Sequence, residues 1–153
     1  MMSGYFNNLE ATAETIDTDG WLHTGDIAIV DEQGWFRIVD RVKELIKYKG
    51  YQVAPVELEA ILQTHPCVAD CAVVGSPDLE AGEVPKAFVV LRSACSSDEL
   101  LAWVAKLVAP YKKIRLLEIV ERIPKNPSGK ILRRLLKETE RTAVSQALPG
   151  GQR

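Results

Sequence analysis

The sequence predicts a small α+β domain over residues 40–142, in which helices pack on a short sheet. A β-hairpin segment over residues 1–39 precedes it, and a flexible tail over residues 143–153 follows. Three observations carry this reading. Two alternating apolar runs flank a glycine-bearing turn before residue 40, strand and helix patterns alternate after it, and 46% hydrophobic residues in a chain of 153 suffice for a core.

HTGDIAIVD and GWFRIVD alternate, and Asp31-Glu32-Gln33-Gly34 joins them as a hairpin turn. A lone hairpin is at best weakly stable in water, so residues 1–39 read as the end of a larger unit. With strand edges left unpaired, residues 1–25 are expected to be mobile or self-associating. KELIKYKGYQV predicts a second hairpin turning at Gly50, and Pro55 suits the first turn of a helix that runs to about His65, where Pro66 stops it. The strands VADCAVVG and PKAFVVLR follow, joined by the loop SPDLEAGEV. Ser96, Ser97 and Asp98 offer N-caps for a helix through Leu107, with Trp103, Val104 and Leu107 on its apolar side, until Pro110 ends it. KIRLLEIVERI reads as a third strand. Ile131, Leu132, Leu135 and Leu136 then stripe a final helix whose basic residues lie on the other face.

Nineteen basic and 21 acidic side chains leave a net charge of -2, so no global field recruits nucleic acid or an anionic membrane. Nucleic-acid binding through Lys130, Arg133, Arg134 and Lys137 is further disfavoured by the lack of paired aromatics. No apolar run approaches the roughly 20 residues of a membrane span, and MMSGYFNNLE lacks the regions of a signal peptide. The expected compartment is the cytoplasm. The ending LPGGQR is not the Ser-Lys-Leu type of address, which leaves a peroxisomal location as the weaker option. Cys67, Cys71 and Cys95 form no CxxC pair and are expected to be reduced thiols. In HPCVADC, His65, Cys67 and Cys71 lie close together, but a fourth ligand is missing. The neighbours Val68, Ala72, Val73 and Val74 mark a strand entering a core, so no metal site is expected there.

The segment RIPKNPSGKILRR holds one lysine in a shaped loop. Pro124 and Pro127 restrict the backbone, and Gly129 can take a left-handed conformation. Lys130 is expected at or near the first turn of the last helix, where free N-H groups and the helix dipole favour an anion. The plain alternative is a solvated lysine at a helix start. SGK is not a Walker A loop, which needs a glycine where Pro124 stands.

PKNPSGKILRR, with GWLHTGD at residues 20–26 and DRVKELIKYKGYQVAPVELE at residues 40–59, resembles the adenylate-forming superfamily of acyl-CoA synthetases and luciferases, and most of all 4-coumarate:CoA ligase and its relatives. The resemblance runs from about Gly4 to about Arg141. It implies a two-step reaction: ATP and a carboxylic acid give acyl-AMP and pyrophosphate, then the thiol of CoA displaces AMP. On the family pattern Lys130 is the ammonium that stabilises charge around the α-phosphorus during adenylation. Asp26 matches the aspartate that accepts from the ribose hydroxyls of AMP, and Arg41 the arginine that also holds the ribose. Asp40 matches the hinge about which a small lid domain swings over a large one. Lys47 matches the lysine that meets the adenylate during thioester formation, Gln52 a nearby polar contact, and Gly50 and Tyr51 the backbone lining the CoA tunnel. The two sets of contacts are expected on opposite faces of the lid.

By the same resemblance, residues 1–39 are the end of the large AMP-binding domain, residues 40–142 the lid, and the partners are the rest of that large domain, ATP, CoA and a carboxylic acid. Mg²⁺ is expected in the complete enzyme, with no ligands identified here. The family's phosphate loop, adenine motif and acyl pocket lie upstream of anything in this sequence, so the chain is expected to be catalytically incomplete alone. The alternatives are a stand-alone module binding CoA, AMP or a partner, or part of a luciferase-like or fatty acyl-CoA ligase.

Overall fold

The computed structural model describes residues 2–147, with side chains through Glu140. Of the expected tail, residues 143–147 continue the last helix and the remainder lies outside the described residues. The chain divides into two compact units, one ending at Lys43 and the other beginning at Glu44.

In the first unit, α1 (Leu9–Thr15) is capped by Asn8, whose side chain accepts from the Ala11 N-H. This helix has no counterpart in the sequence expectation: seven residues of mixed polarity give too little periodicity to stand out. β1 (Asp26–Val30) and β2 (Phe36–Arg41) form the expected antiparallel hairpin. Asp31 closes its turn by accepting from the N-H groups of Gln33 at 3.0 Å and Trp35 at 2.9 Å, while Gly34 supplies a φ of +85°. Large apolar side chains on this unit stay open to solvent, among them Phe6, Trp21, Trp35, Phe36 and Ile38.

Among the described residues the second unit is a five-stranded sheet with three α-helices. β3 (Ile46–Tyr48) and β4 (Tyr51–Val53) pair across Lys49 and Gly50, whose φ values of +47° and +82° are the two left-handed residues of a type I′ hairpin. α2 (Pro55–Gln63) starts on its proline and precedes β5 (Val68–Asp78), which pairs antiparallel with β6 (Gly82–Leu91). The segment expected as the loop SPDLEAGEV is mostly strand. Only Leu79–Ala81 connect β5 to β6, because Asp78 Oδ1 accepts from the N-H groups of Glu80 and Ala81 and tightens the turn. α3 (Ser97–Leu107) is capped by Ser96, which accepts from the Glu99 N-H at 3.1 Å. β7 (Leu116–Ile119) then adds parallel to β6, and α4 (Arg133–Ala147) ends the described chain. The sheet order is β4-β3-β6-β5, with β7 also on β6.

Strand alternation splits the core in two. Cys71, Val73, Ala87 and Val89 face Leu58 and Leu62 of α2 and Leu100 and Val104 of α3. Ala72, Val74 and Phe88 face Leu136 of α4 and Ile123 from the loop before it. Both sheet faces are covered, which is why β5 and β6 read as near-continuous apolar runs.

Two expected stripes need correction. Leu107 is 55% exposed, and Leu100, two turns nearer the cap, is buried together with Val104. α4 begins at Arg133, so Ile131 and Leu132 precede it, and of the four stripe residues only Leu136 is buried. Nor do its basic residues all face water: Arg133 turns inward onto Glu59.

Candidate functional site

In the first unit the hairpin register sets Asp26 directly opposite Arg41, and Arg41 Nε meets Asp26 Oδ1 at 3.1 Å. Asp26 is half-buried and an ionised carboxylate accepts several bonds, so this pairing leaves it acceptor capacity. Asp40 is buried. Its Oδ1 accepts from the Arg41 N-H at 2.7 Å, while its Oδ2 has no hydrogen-bond partner. An orphaned buried oxygen typically costs about 1–3 kcal/mol, and this one lies three residues before the boundary at Lys43.

In the second unit Lys47 and Gln52 are cross-strand partners in the β3–β4 ladder. Ile46 and Val53, one residue away on each strand, are fully buried, so Lys47 and Gln52 share the outward face, and both are exposed. The Lys47 N-H is fixed by Glu83 Oε2 at 3.0 Å. Gly50 sits in the turn, and Tyr51 stacks on Tyr111 with ring centroids 4.6 Å apart.

Lys130 lies near the first turn of the last helix but outside it, three residues before α4 in a miniature hairpin. Lys125 bridges to Ile131, the Asn126 N-H donates to the Lys130 carbonyl at 2.9 Å, and the Gly129 N-H donates to the Asn126 carbonyl at 2.9 Å. With Gly129 at φ +81°, this is a tight turn closed by a glycine bulge. Asn126 organises it. Its side-chain oxygen accepts from the Lys130 N-H and the Ser128 hydroxyl, both at 2.8 Å. Sequence reading credited the prolines and the glycine and missed Asn126; an Asn-Pro opening four residues before Lys130 was the available signal.

The ends of this hairpin are anchored to the sheet and α2. Lys125 pairs with Asp70 at 2.6 Å, and Arg133 makes two bonds to the Glu59 carboxylate, at 2.8 and 2.7 Å. Glu59 Oε1 also accepts from the Val73 N-H at 2.8 Å, tying α2, β5 and α4 together. Beneath α4, Lys86 bonds Glu118 and Glu140, and Ser76 donates to Glu140. Burial draws the Lys86 pKa down, but its bonds to Glu118 and Glu140 outweigh that and leave it raised. Neither Lys130 nor Lys47 has a carboxylate partner among the described residues, in contrast to Lys86, Lys112, Lys125 and Lys137.

Cys71 points into the core, where burial, with Glu59 and Asp70 nearby, pushes its thiol up to about 12. It therefore leaves the expected neighbourhood of His65 and Cys67, and Cys95 takes its place. This sulfur and imidazole cluster does not fit Mg²⁺, which demands oxygen ligands. No other group of three metal-ligating side chains occurs among the described residues.

Residues 57–130 match the AMP-binding enzyme C-terminal domain. The chain belongs to the adenylate-forming superfamily and corresponds to the C-terminal portion of its members. Within that class it is 58% identical over 136 residues to a probable CoA ligase from Humulus lupulus, a match covering 88% of this chain and 25% of the relative. It is 57% identical over 136 residues to the peroxisomal OPC-8:0-CoA ligase of Arabidopsis thaliana, with the same coverage, 88% and 25%. Among solved structures, o-succinylbenzoate CoA synthetase from Bacillus subtilis in complex with its acyl-adenylate intermediate is 36% identical with a TM-score of 0.81, covering 90% of this chain and 28% of that one. The chain thus spans about a quarter of the length of the curated relatives it matches. No helix among the described residues is long and apolar enough to cross a membrane.

Proposed function

We propose that the chain forms the mobile lid, with the adjoining edge of a larger domain, of an ATP-dependent carboxylic acid:CoA ligase of the 4-coumarate type. The observation that carries this reading is the hairpin over residues 125–131, which holds an exposed and unpaired Lys130 by its own backbone. A cation fixed in advance stabilises developing phosphate charge without reorganising during the reaction. On this reading Lys130 serves adenylation by steadying the oxygens around the α-phosphorus as the carboxylate attacks. Asp26 accepts from the ribose hydroxyls of AMP, and Arg41 supports it.

Lys47 and Gln52 serve the second half-reaction, in which the CoA thiol displaces AMP. Their position on a separate element from Lys130 supports a lid that presents one set of groups per step. Gly50 and Tyr51 line the CoA path, where a turn without a side chain lets a ligand come close. Asp40 is the hinge, and its position three residues before the boundary at Lys43, with a buried carboxylate oxygen that lacks a partner, supports this reading. The exposed apolar residues of the first unit support packing against the rest of a large domain. Mg²⁺ is expected in the complete enzyme, no ligands for it are assigned among the described residues, and no step is assigned to it. The cytoplasm is the compartment we infer, with the peroxisome, named for the Arabidopsis relative, as the alternative.

A chimera tests this. Residues 40–142 replace the matching segment of the Arabidopsis ligase, and acyl-CoA formation is compared with that of the same enzyme lacking the segment. Restored turnover supports the lid. Binding of AMP or CoA by residues 1–153 with no restored turnover supports a binding module instead.

A further inference from the structure

His65, Cys67 and Cys95 each offer a ligand atom, and all three atoms lie within 4.8 Å of one another. They come from two separate stretches of chain, just after α2 and just before α3. Each is held by its surroundings. The His65 ring is buried and stands edge-on to Trp103 at 4.9 Å between centroids. The Cys67 backbone is fixed by its carbonyl, which accepts from the Arg92 N-H at 2.8 Å, and Cys95 immediately precedes the Ser96 cap of α3. Glu99, in the first turn of α3, brings a carboxylate oxygen to 3.3 Å from the Cys95 sulfur.

We propose that His65, Cys67 and Cys95 form a binding site for a thiophilic metal ion, Zn²⁺ in the first instance, with Glu99 closing the fourth position. Zn-S and Zn-N bonds of about 2.3 and 2.0 Å place tetrahedral ligand atoms about 3.5–3.8 Å apart. The three ligand atoms, within 4.8 Å of one another, already approach that range. The two sulfurs and the imidazole select zinc over the oxygen-seeking Mg²⁺ and Ca²⁺. His65 Nδ1 accepts a long bond, 3.3 Å, from the Cys67 N-H, a weak contact readily exchanged for a metal. Both thiols lose their protons to solvent on binding, leaving two thiolates, an imidazole and a carboxylate around the dication. The bound ion staples the end of α2 to the start of α3. The elements carrying Lys47, Gln52 and Lys130 are not part of it.

Cobalt is the probe, because thiolate ligation to Co²⁺ gives a charge-transfer band and tetrahedral geometry gives intense d-d bands. Residues 1–153, purified under reductant, are titrated with Co²⁺ and then with Zn²⁺. One Co²⁺ per chain, a thiolate band and its bleaching by Zn²⁺ are expected. Cys67→Ser and Cys95→Ser each remove the band or weaken binding by at least about tenfold, His65→Ala weakens it likewise, and Cys71→Ser leaves it unchanged. Circular dichroism of each variant shows that it is folded. A wild-type chain without a thiolate band overturns the proposal, as does a band that survives in both serine variants or is lost in Cys71→Ser.

Discussion

Asn126→Ala removes the acceptor for two hydrogen bonds, from the Lys130 N-H and the Ser128 hydroxyl, both at 2.8 Å. Each such bond contributes about 0.5–1.5 kcal/mol net, so the ordered turn loses about 1–3 kcal/mol relative to open forms of the loop. That corresponds to a roughly 5- to 150-fold smaller ordered population. The loop is exposed, and water replaces part of what is lost, which favours the lower half of that range. The upper limit is set by losing the ammonium itself, about 100- to 1,000-fold. The assay is ATP-pyrophosphate exchange by the chimeric ligase, with thioester formation from supplied acyl-AMP as the internal control. Exchange should fall about 5- to 30-fold while the control holds, and Asn126→Asp, which keeps the acceptor, should recover most of the loss. Exchange within twofold of the unaltered chimera would refute the assignment of Asn126 as the residue that holds Lys130 in place.

Three further outcomes concern stability. Arg133→Met leaves the buried Glu59 carboxylate with the Val73 N-H alone and should cost about 3–5 kcal/mol in urea unfolding; a loss below about 1 kcal/mol would contradict the anchoring role. Gly129→Ala meets no atom within 4 Å at the new Cβ, so only the left-handed φ of +81° opposes it, and about 1–2 kcal/mol should be lost. Burial, Glu59 and Asp70 raise the Cys71 thiol from its ordinary value of 9.0 to about 12. Its stabilising contribution is thus complete below pH 9 and lost as pH rises through 12, so Cys71→Ala should show a shallower decline in stability across that window.

The first hairpin was legible from two alternating runs flanking a glycine turn, and the apolar strands of the second unit because their side chains sort by burial. The hairpin turn at Gly50 and the Ser96 cap were legible because backbone geometry favours glycine and serine at those positions. What escaped reading depends on contacts distant in sequence. Arg133 looked like a surface cation because Glu59, its partner, lies 74 positions away. Lys130 looked helical because the turn organised by Asn126 ends one residue before a helical apolar stripe would begin. Asp26 and Arg41 could be paired only once the hairpin register was known. The cluster of His65, Cys67 and Cys95 was hidden for the same reason: nearness in sequence pointed to Cys71, and strand alternation turned that thiol inward.

The most direct measurement separates the two half-reactions in the chimeric ligase carrying Lys130→Ala or Lys47→Ala. Lys130→Ala should slow ATP-pyrophosphate exchange by about 100- to 1,000-fold and spare the reaction of CoA with preformed acyl-AMP, with Lys47→Ala giving the opposite pattern. Exchange at the unaltered rate without the Lys130 ammonium, or equal losses in both half-reactions for either variant, would contradict the division of labour between the two lysines.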